Sequence, residues 1–409
     1  MLATLCLSAT LVLPLSLDAV EGRVQACNRE VIAATLAYEA AGADLRVAAQ
    51  RANPTLTLGA SNVNPHAGLG SGTLREKTFD SSVRIEQLVE RGGKAELRSA
   101  QSRALRDAAR ADLGEQLRLQ RLAARSAFFD LAAAQERVRL QADFRSLAGD
   151  TATAARLRFE AGAVPRAESG RFRLDAARAA NDLRQAEVDR QRARLELARL
   201  IGAEASAGAL EVEVAWSDSA PQPPAQGDRP DVAGARRRVQ AAEFALALAR
   251  ALATRDVTVG LQADRWPASD ANVQGTGTSY GLTVSMPLHV RHSYDGEAAR
   301  AMVDLEVARA GVERLVALSR AEAELAEQDW RAARERRERV EAEVLPAARE
   351  VSTAAEFAYA HGATGVLDLL DARRLLKTVE LDQVLARAES AKAWARRAAA
   401  IENLQEPLR

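Results

Sequence analysis

The sequence predicts a mainly α-helical chain with a small β part, laid out twice as helix, strand, strand and long helical hairpin. Three observations carry this. The chain matches itself at a shift of about 200 residues. Four short segments alternate apolar and polar residues with period two. Two helical patterns run on for roughly 65 residues each, about 95 Å at 1.5 Å per residue, longer than one globular core needs. Composition agrees: 47% apolar, 27% charged and only 4% aromatic, the balance of long helices and coiled coils. The 56 basic residues are offset by 56 acidic ones, which argues against a nucleic-acid partner.

The repeat fixes the order of elements. A shift of 201 places Val31 on Val232, Leu45 on Leu246, Thr57 on Thr258 and Gly59 on Gly260. A shift of 199 pairs Val83 with Leu282 and Ile85 with Val284, and one of 200 pairs Gly162 with Gly362. The small slips fall in loops, where insertions cost little. The first half spans 18–202 and the second 230–409, with a Pro/Gln-rich linker at 203–229. Strands are expected over 54–63 and 79–89, and again over 256–266 and 279–289. The helical hairpins follow at 94–202 and 296–402, with a kink at Pro346.

Residues 1–17 form a short apolar run like the core of a signal peptide. It lacks a basic start and a clear cleavage site, the pattern of a start placed late. No stretch reaches the 18 apolar residues of a spanning helix. Cys6 and Cys27 are too few for a disulfide scaffold. Cys27 reads as an apolar helix residue or a lipid-attachment site, although neither cysteine follows an acceptable lipobox.

Each strand puts apolar residues on one side (Leu56, Leu58; Val83, Ile85; Val257, Val259, Leu261; Leu282, Val284, Met286). Such segments have the length to cross a membrane as tilted strands. Four strands cannot close a barrel, so several chains would have to share one. A small soluble sheet with one buried face fits the same pattern. On the membrane reading Phe79, Trp266 and Tyr280 fall where an aromatic girdle lies.

The segments LSLDAV (15–20), NPTLTLG (53–59), RIEQLVERGGKAELR (84–98), LELARLIG (195–202), RPDVAGARRRVQAAEFALALAR (229–250) and GVLDLLDARRLL (365–376) occur in an order that resembles the TolC-like outer-membrane efflux proteins. The RGGK turn at 91–94 and SMPLHVRHSYDGEAARA (285–301) are similar to the CzcC-type heavy-metal branch, with Tyr294-Asp295 where that branch often has Asn-Gln. The resemblance implies a homotrimer in outer-membrane lipid, with a twelve-stranded barrel shared by three chains above a long periplasmic α-barrel. It implies a periplasmic adaptor and an inner-membrane RND-type pump as partners. The implied role is an exit duct, for heavy-metal cations or, within the same family, for drugs or secreted polypeptides. A soluble coiled-coil scaffold is the alternative from another class.

Asp368 and Asp371 stand three apart at the start of a helix and share a face. The resemblance makes them a periplasmic gate; their helix-terminal position alone would also account for them. The turns Ala161-Gly162-Ala163-Val164 and His361-Gly362-Ala363-Thr364 join antiparallel helices, and the resemblance makes them adaptor-contacting tips. Arg84, Glu86, Thr258, Gln262, Thr283 and Ser285 would line the barrel lumen. His289 and His292 are spaced like metal ligands, but no third ligand lies nearby in sequence, so they read as turn residues; His66 and His361 read as loop residues. No catalytic, cofactor-binding or metal-ligating set is expected, since no nucleotide loop, catalytic triad, zinc motif or dinucleotide fingerprint occurs.

Overall fold

The computed structural model describes residues 14–63, 79–214, 216, 228–267 and 277–401. In chain order these form α1 (Leu17–Cys27), α2 (Arg29–Ala48), β1 (Thr55–Ser61), β2 (Asp80–Val89), α3 (Lys94–Glu160) and α4 (Arg166–Leu200). The second half supplies α5 (Pro230–Ala251), β3 (Val257–Trp266), β4 (Gly277–Ser285), α6 (Asp295–Arg339), α7 (Leu345–Ala360) and α8 (Val366–Ile401). Gly162 and Gly362, and the buried pair Val31 and Val232, occupy equivalent places in the two halves. The chain divides into two compact units, each assembled from both halves: Met1–Ala37, Ala111–Ala233 and Arg314–Arg409 in one, Tyr38–Arg110 and Gly234–Glu313 in the other.

The second unit holds an antiparallel sheet in the order β1-β2-β3-β4. Its register places Leu56, Ile85, Leu261 and Leu282 in one row across the four strands, with Leu58, Val83, Ala263 and Tyr280 in the next. This face is uncovered: Leu58 is 70% exposed, Leu261 65% and Leu282 68%. A soluble sheet would bury its apolar face, and this one does not. Among the described residues β1 pairs only with β2 and β4 only with β3, so each outer strand keeps one edge unpaired there. The strands end for local reasons. Asn62 takes a left-handed φ of 56° and stops β1 at Ser61. β4 ends at Ser285, short of the expected 289, where Pro287 removes a backbone donor.

The first unit packs mainly aliphatic side chains, with Phe128, Leu131, Leu197, Ile201 and Leu210 fully buried. Leu15 belongs to this core. It forms a parallel bridge with Val212, with Leu15 N–H donating to the Glu211 carbonyl at 2.8 Å and Glu213 N–H to the Leu15 carbonyl at 3.1 Å. The signal-like reading of 1–17 therefore overruns the folded body by a few residues; 1–13 lie outside the described residues, as do Cys6 and His66. Cys27 is the last residue of α1 and buried, as the helix-residue reading expects, and it is disulfide-bonded, which overturns the lipid-attachment alternative.

Asn28 separates α1 from α2 and serves both sides of the break. Its Oδ1 accepts from Glu30 N (2.9 Å) and Val31 N (3.2 Å), capping α2, while Nδ2 donates to the Leu200 carbonyl (2.9 Å) and to Gln120 Oε1 (3.1 Å). Gly202 closes α4 with a left-handed φ of 64°, and a Cβ there would stand 2.8 Å from the Cys27 carbonyl, so only glycine fits. At Pro346 the structure has a π turn over Val340–Val344, with Leu345 N–H reaching back five residues to the Val340 carbonyl. The wider turn accommodates the missing donor and the ring, and the chain continues as α7.

Candidate functional site: an open sheet and two helical tips

The polar face of the sheet carries all six residues expected to line a lumen. Arg84 and Gln262 are cross-strand partners, as are Thr57 and Arg84, Glu86 and Gly260, Gly260 and Thr283, and Thr258 and Ser285. Arg84 donates to Gln262 Oε1 from Nε (2.8 Å) and Nη2 (2.5 Å), and Gln262 Nε2 donates onward to Asp264 Oδ1 at 2.6 Å. Arg84 also lies 3.7 Å from Glu86. Thr283 Oγ1 donates to the Gly260 carbonyl at 3.4 Å. The face is thus a wet network with both charge signs, and it presents no single-sign filter. Of the expected girdle, Trp266 follows the alternation of Gln262 and Asp264 and so lies on the polar side; Tyr280, 84% exposed, stands on the apolar side, and Phe79 precedes β2.

Where the strands pass into helices, the RGGK segment acts as a clamp. Gly92 and Gly93 both have positive φ (74° and 68°), turning the chain from β2 into α3. Lys94 is then buried, its Nζ donating to both Asp256 carboxylate oxygens at 2.9 Å and to the Thr254 carbonyl at 2.8 Å; Arg91 N–H reaches the same carboxylate at 2.9 Å. The exit of β2 is thereby tied to the entry of β3. On the other side Tyr294, with a φ of 64°, sits edge-on to His289 (5.1 Å) and His292 (4.5 Å), and His292 Nε2 meets Glu297 Oε1 at 2.7 Å. The histidines occupy the turn leading into α6. Among the described residues no group of three His, Cys, Asp or Glu side chains is placed to hold a metal ion.

In the first unit the two tip turns are copies of one another. Gly162 and Gly362 have φ of 74° and 73°. Ala163 N–H donates to the Arg158 carbonyl and Ala363 N–H to the Ala358 carbonyl, both at 2.8 Å, while Gly162 and Gly362 donate to Phe159 and Tyr359. These are Schellman closures, and they account for the glycines fully. Ala161, Gly162, Ala163, His361, Gly362, Ala363 and Thr364 are exposed, whereas Val164 is buried. Phe172 of α4 packs with Ala155 of α3 and with Val366, Leu369 and Leu370 of α8, joining the two hairpins beside their tips.

That packing orients the carboxylates. Leu369 and Leu370 turn inward, which leaves Asp368 and Asp371 exposed on the opposite side of α8. Asp368 Oδ2 accepts from Gly365 N–H at 3.3 Å, and Asp371 accepts from Arg374 Nη1 at 3.3 Å. Further along, Lys377 Nζ donates to Asp182 of α4 at 2.7 Å and Arg373 to Glu356 (2.9 Å) and Thr151 (3.0 Å). Tyr359 Oη donates to Glu168 at 2.8 Å; burial and that carboxylate hold its hydroxyl above the usual tyrosine range. The links from Lys377 to Asp182, Arg373 to Thr151 and Tyr359 to Glu168 join the two hairpins through residues far apart in sequence, so no local pattern announced them.

No protein-family model matches the chain. CzcC, a cobalt-zinc-cadmium resistance protein of Cupriavidus metallidurans, is 27% identical over 310 residues, covering 74% of this chain and 72% of that protein. Among solved structures, CusC, described by its folding and transmembrane channel formation, superposes with a TM-score of 0.79 at 16% identity, over 96% of this chain and 94% of its own. The open-state MtrE outer-membrane channel of Neisseria gonorrhoeae superposes with a TM-score of 0.75 at 18% identity, over 95% and 89%. This is the TolC-like outer-membrane channel fold. The order of helix, strand pair and hairpin holds through both halves. Among the described residues no helix is long and apolar enough to cross a membrane.

Proposed function

We propose that the chain is one third of an outer-membrane exit duct. The observation that carries this reading is the sheet: one apolar face fully uncovered, one polar face, and an unpaired edge on each side. Lipid tolerates no open edge, and rotational symmetry offers the simplest closure. Three copies would join β1 of one chain to β4 of the next, making a twelve-stranded barrel with Arg84, Glu86, Thr258, Gln262, Thr283 and Ser285 toward the water-filled lumen. The helices would extend into the periplasm. No cofactor and no catalytic step enter the reading; the duct lowers the barrier to export by offering a continuous aqueous path.

The likeness to CzcC supports heavy-metal cations as the cargo, delivered by an inner-membrane RND-type pump through a periplasmic adaptor that docks on the tips at 161–164 and 361–364. Asp368 and Asp371, exposed on one face of α8, would form two stacked carboxylate rings around a threefold axis and narrow the periplasmic entrance to favour cations. The decisive experiment is membrane fractionation followed by planar-bilayer recording. Heat-modifiable trimers in the outer membrane and discrete conductance steps are expected; a chain that remains in solution without detergent belongs to the scaffold class instead. Deletion of the gene should raise sensitivity to cobalt, zinc or cadmium, and a shift confined to drugs would reassign the cargo.

A further inference from the structure

Most cations of the sheet unit that lie near the strands are matched: Arg84 by Gln262 and Glu86, Lys94 by Asp256, Arg98 by Glu90. Arg265, within β3 itself, is matched by none among the described residues. It follows the alternation of Val257, Val259, Leu261 and Ala263 and so lies on the apolar side of β3. It forms no ion pair among the described residues, and its Nε is sealed from water without a hydrogen-bond partner. Its cross-strand neighbours are the hydroxyl residues Ser81 and Thr278, and Tyr280 is its diagonal neighbour, about 7–8 Å away by sheet geometry and within reach of long side chains.

Position along the strand gives this cation a meaning. The strand ends at Val89, Val257 and Ser285 lead to or from helices, whereas Arg265 lies at the hairpin end. Eight residues separate it from Val257, about 26 Å along the strand at 3.3 Å each. At a barrel tilt near 40° that projects to roughly 20 Å, close to the height of the apolar band of a spanning barrel, about 25 Å. Arg265 therefore ends the apolar rows at the level of the outer headgroups. A guanidinium there has its stem on hydrocarbon and its donors at the depth where lipid phosphates lie.

We propose that Arg265, with Tyr280 and the Ser81 and Thr278 hydroxyls, binds the phosphate of an anionic lipid headgroup in the outer leaflet, one such site per chain. The inference rests on the membrane reading of the sheet given above. An apolar face continuous with the site selects a lipid over a free anion, because acyl chains can lie along Val83, Ala263 and Leu261 while the phosphate meets the guanidinium.

The test uses the purified full-length protein in uncharged detergent, given a phosphorylated lipid A or the same glycolipid with its phosphates removed. Retained lipid is read by native mass spectrometry. Wild type should retain the phosphorylated form in preference, and Arg265→Gln should lower that retention about fivefold per site, the ratio for one cation beside an anionic surface; Arg265→Lys should recover part of it. Equal retention of the two glycolipids, or of wild type and Arg265→Gln, overturns the proposal. Displacement by millimolar inorganic phosphate would mark a free-anion site and overturns it as well. Conductance in uncharged bilayers separates the two layers of argument: wild type and Arg265→Gln should both open channels there, and if neither does, the membrane reading falls and the lipid site with it.

Discussion

Leu261→Arg separates the membrane sheet from a solvated one by magnitude. Leu261 is the middle residue between Val257 and Arg265, four positions from each, and is 65% exposed. Four residues are about 13 Å of strand, or roughly 10 Å of depth at a tilt near 40°, which puts the side chain near the centre of the apolar band. Arginine facing lipid at the midplane costs about 2–4 kcal/mol, so three copies in one barrel would lose about 6–12 kcal/mol. On a face that meets water, the same change at an exposed position would stay within about 0.5 kcal/mol. The assay is urea unfolding after reconstitution into vesicles, with Thr283→Arg as the control at similar depth on the polar face. Leu261→Arg should abolish or strongly weaken barrel assembly while Thr283→Arg leaves it near wild type. Equal, small effects of the two substitutions would refute the assignment of the apolar face to lipid.

Three further outcomes are expected. Asp368→Ala combined with Asp371→Ala should raise single-channel conductance and relieve block by multivalent cations applied from the periplasmic side; unchanged block removes the gate. Asn28→Ala should cost about 2–3 kcal/mol in urea unfolding, near 1 for the lost cap and the rest for leaving the Leu200 carbonyl and Gln120 short of a donor, and a loss under about 0.5 would mean the cap is idle. Asp231 is half-buried, which alone would raise its pKa, yet the bidentate Arg229 guanidinium (2.6 and 2.9 Å) outweighs that burial and holds the carboxylate below its usual range. A depressed carboxylate stabilises the fold above its unfolded pKa, near 4, and that contribution fades as pH falls through the lower folded value. Asp231→Asn should therefore flatten the fall in urea midpoint below about pH 4, and an unchanged acid limb would sever the link.

What the sequence disclosed was whatever repeats or alternates. Period-two patterns put Leu56, Ile85, Leu261 and Leu282 on one face, and the register joins them in one row. The shift of about 200 residues anticipated two identical tip turns, which the φ values of Gly162 and Gly362 match. Contacts between distant segments left no periodic trace. The bridge from Leu15 to Val212 and the ties of Asn28 to Leu200 and of Tyr359 to Glu168 all depend on which distant segments meet. Alternation also could not tell a buried apolar face from an uncovered one, because both demand the same residues; the exposure of Leu58 and Leu282 separates them. At Pro346 the residue type signalled a disturbance of the helix, and the wider turn just before it depends on backbone geometry that composition does not encode.

The two unpaired strands differ from the two inner ones in a way that bears on the life of the chain before assembly. β1 reads TLTLGAS and β4 GTSYGLTVS, without a charge or a proline, whereas β2 and β3 hold Asp80, Arg84, Glu86, Asp264 and Arg265. Proteins that must remain single usually guard such margins with lysine, proline or a bulge. Here the margins are bare, so a newly made chain is adhesive on both flanks and races correct closure against indiscriminate pairing with any extended segment it meets. Overproduction shortens the time available and favours the wrong outcome. If the chain closes with copies of itself as proposed, the amount a cell can make safely is set by how fast its margins find their proper counterparts.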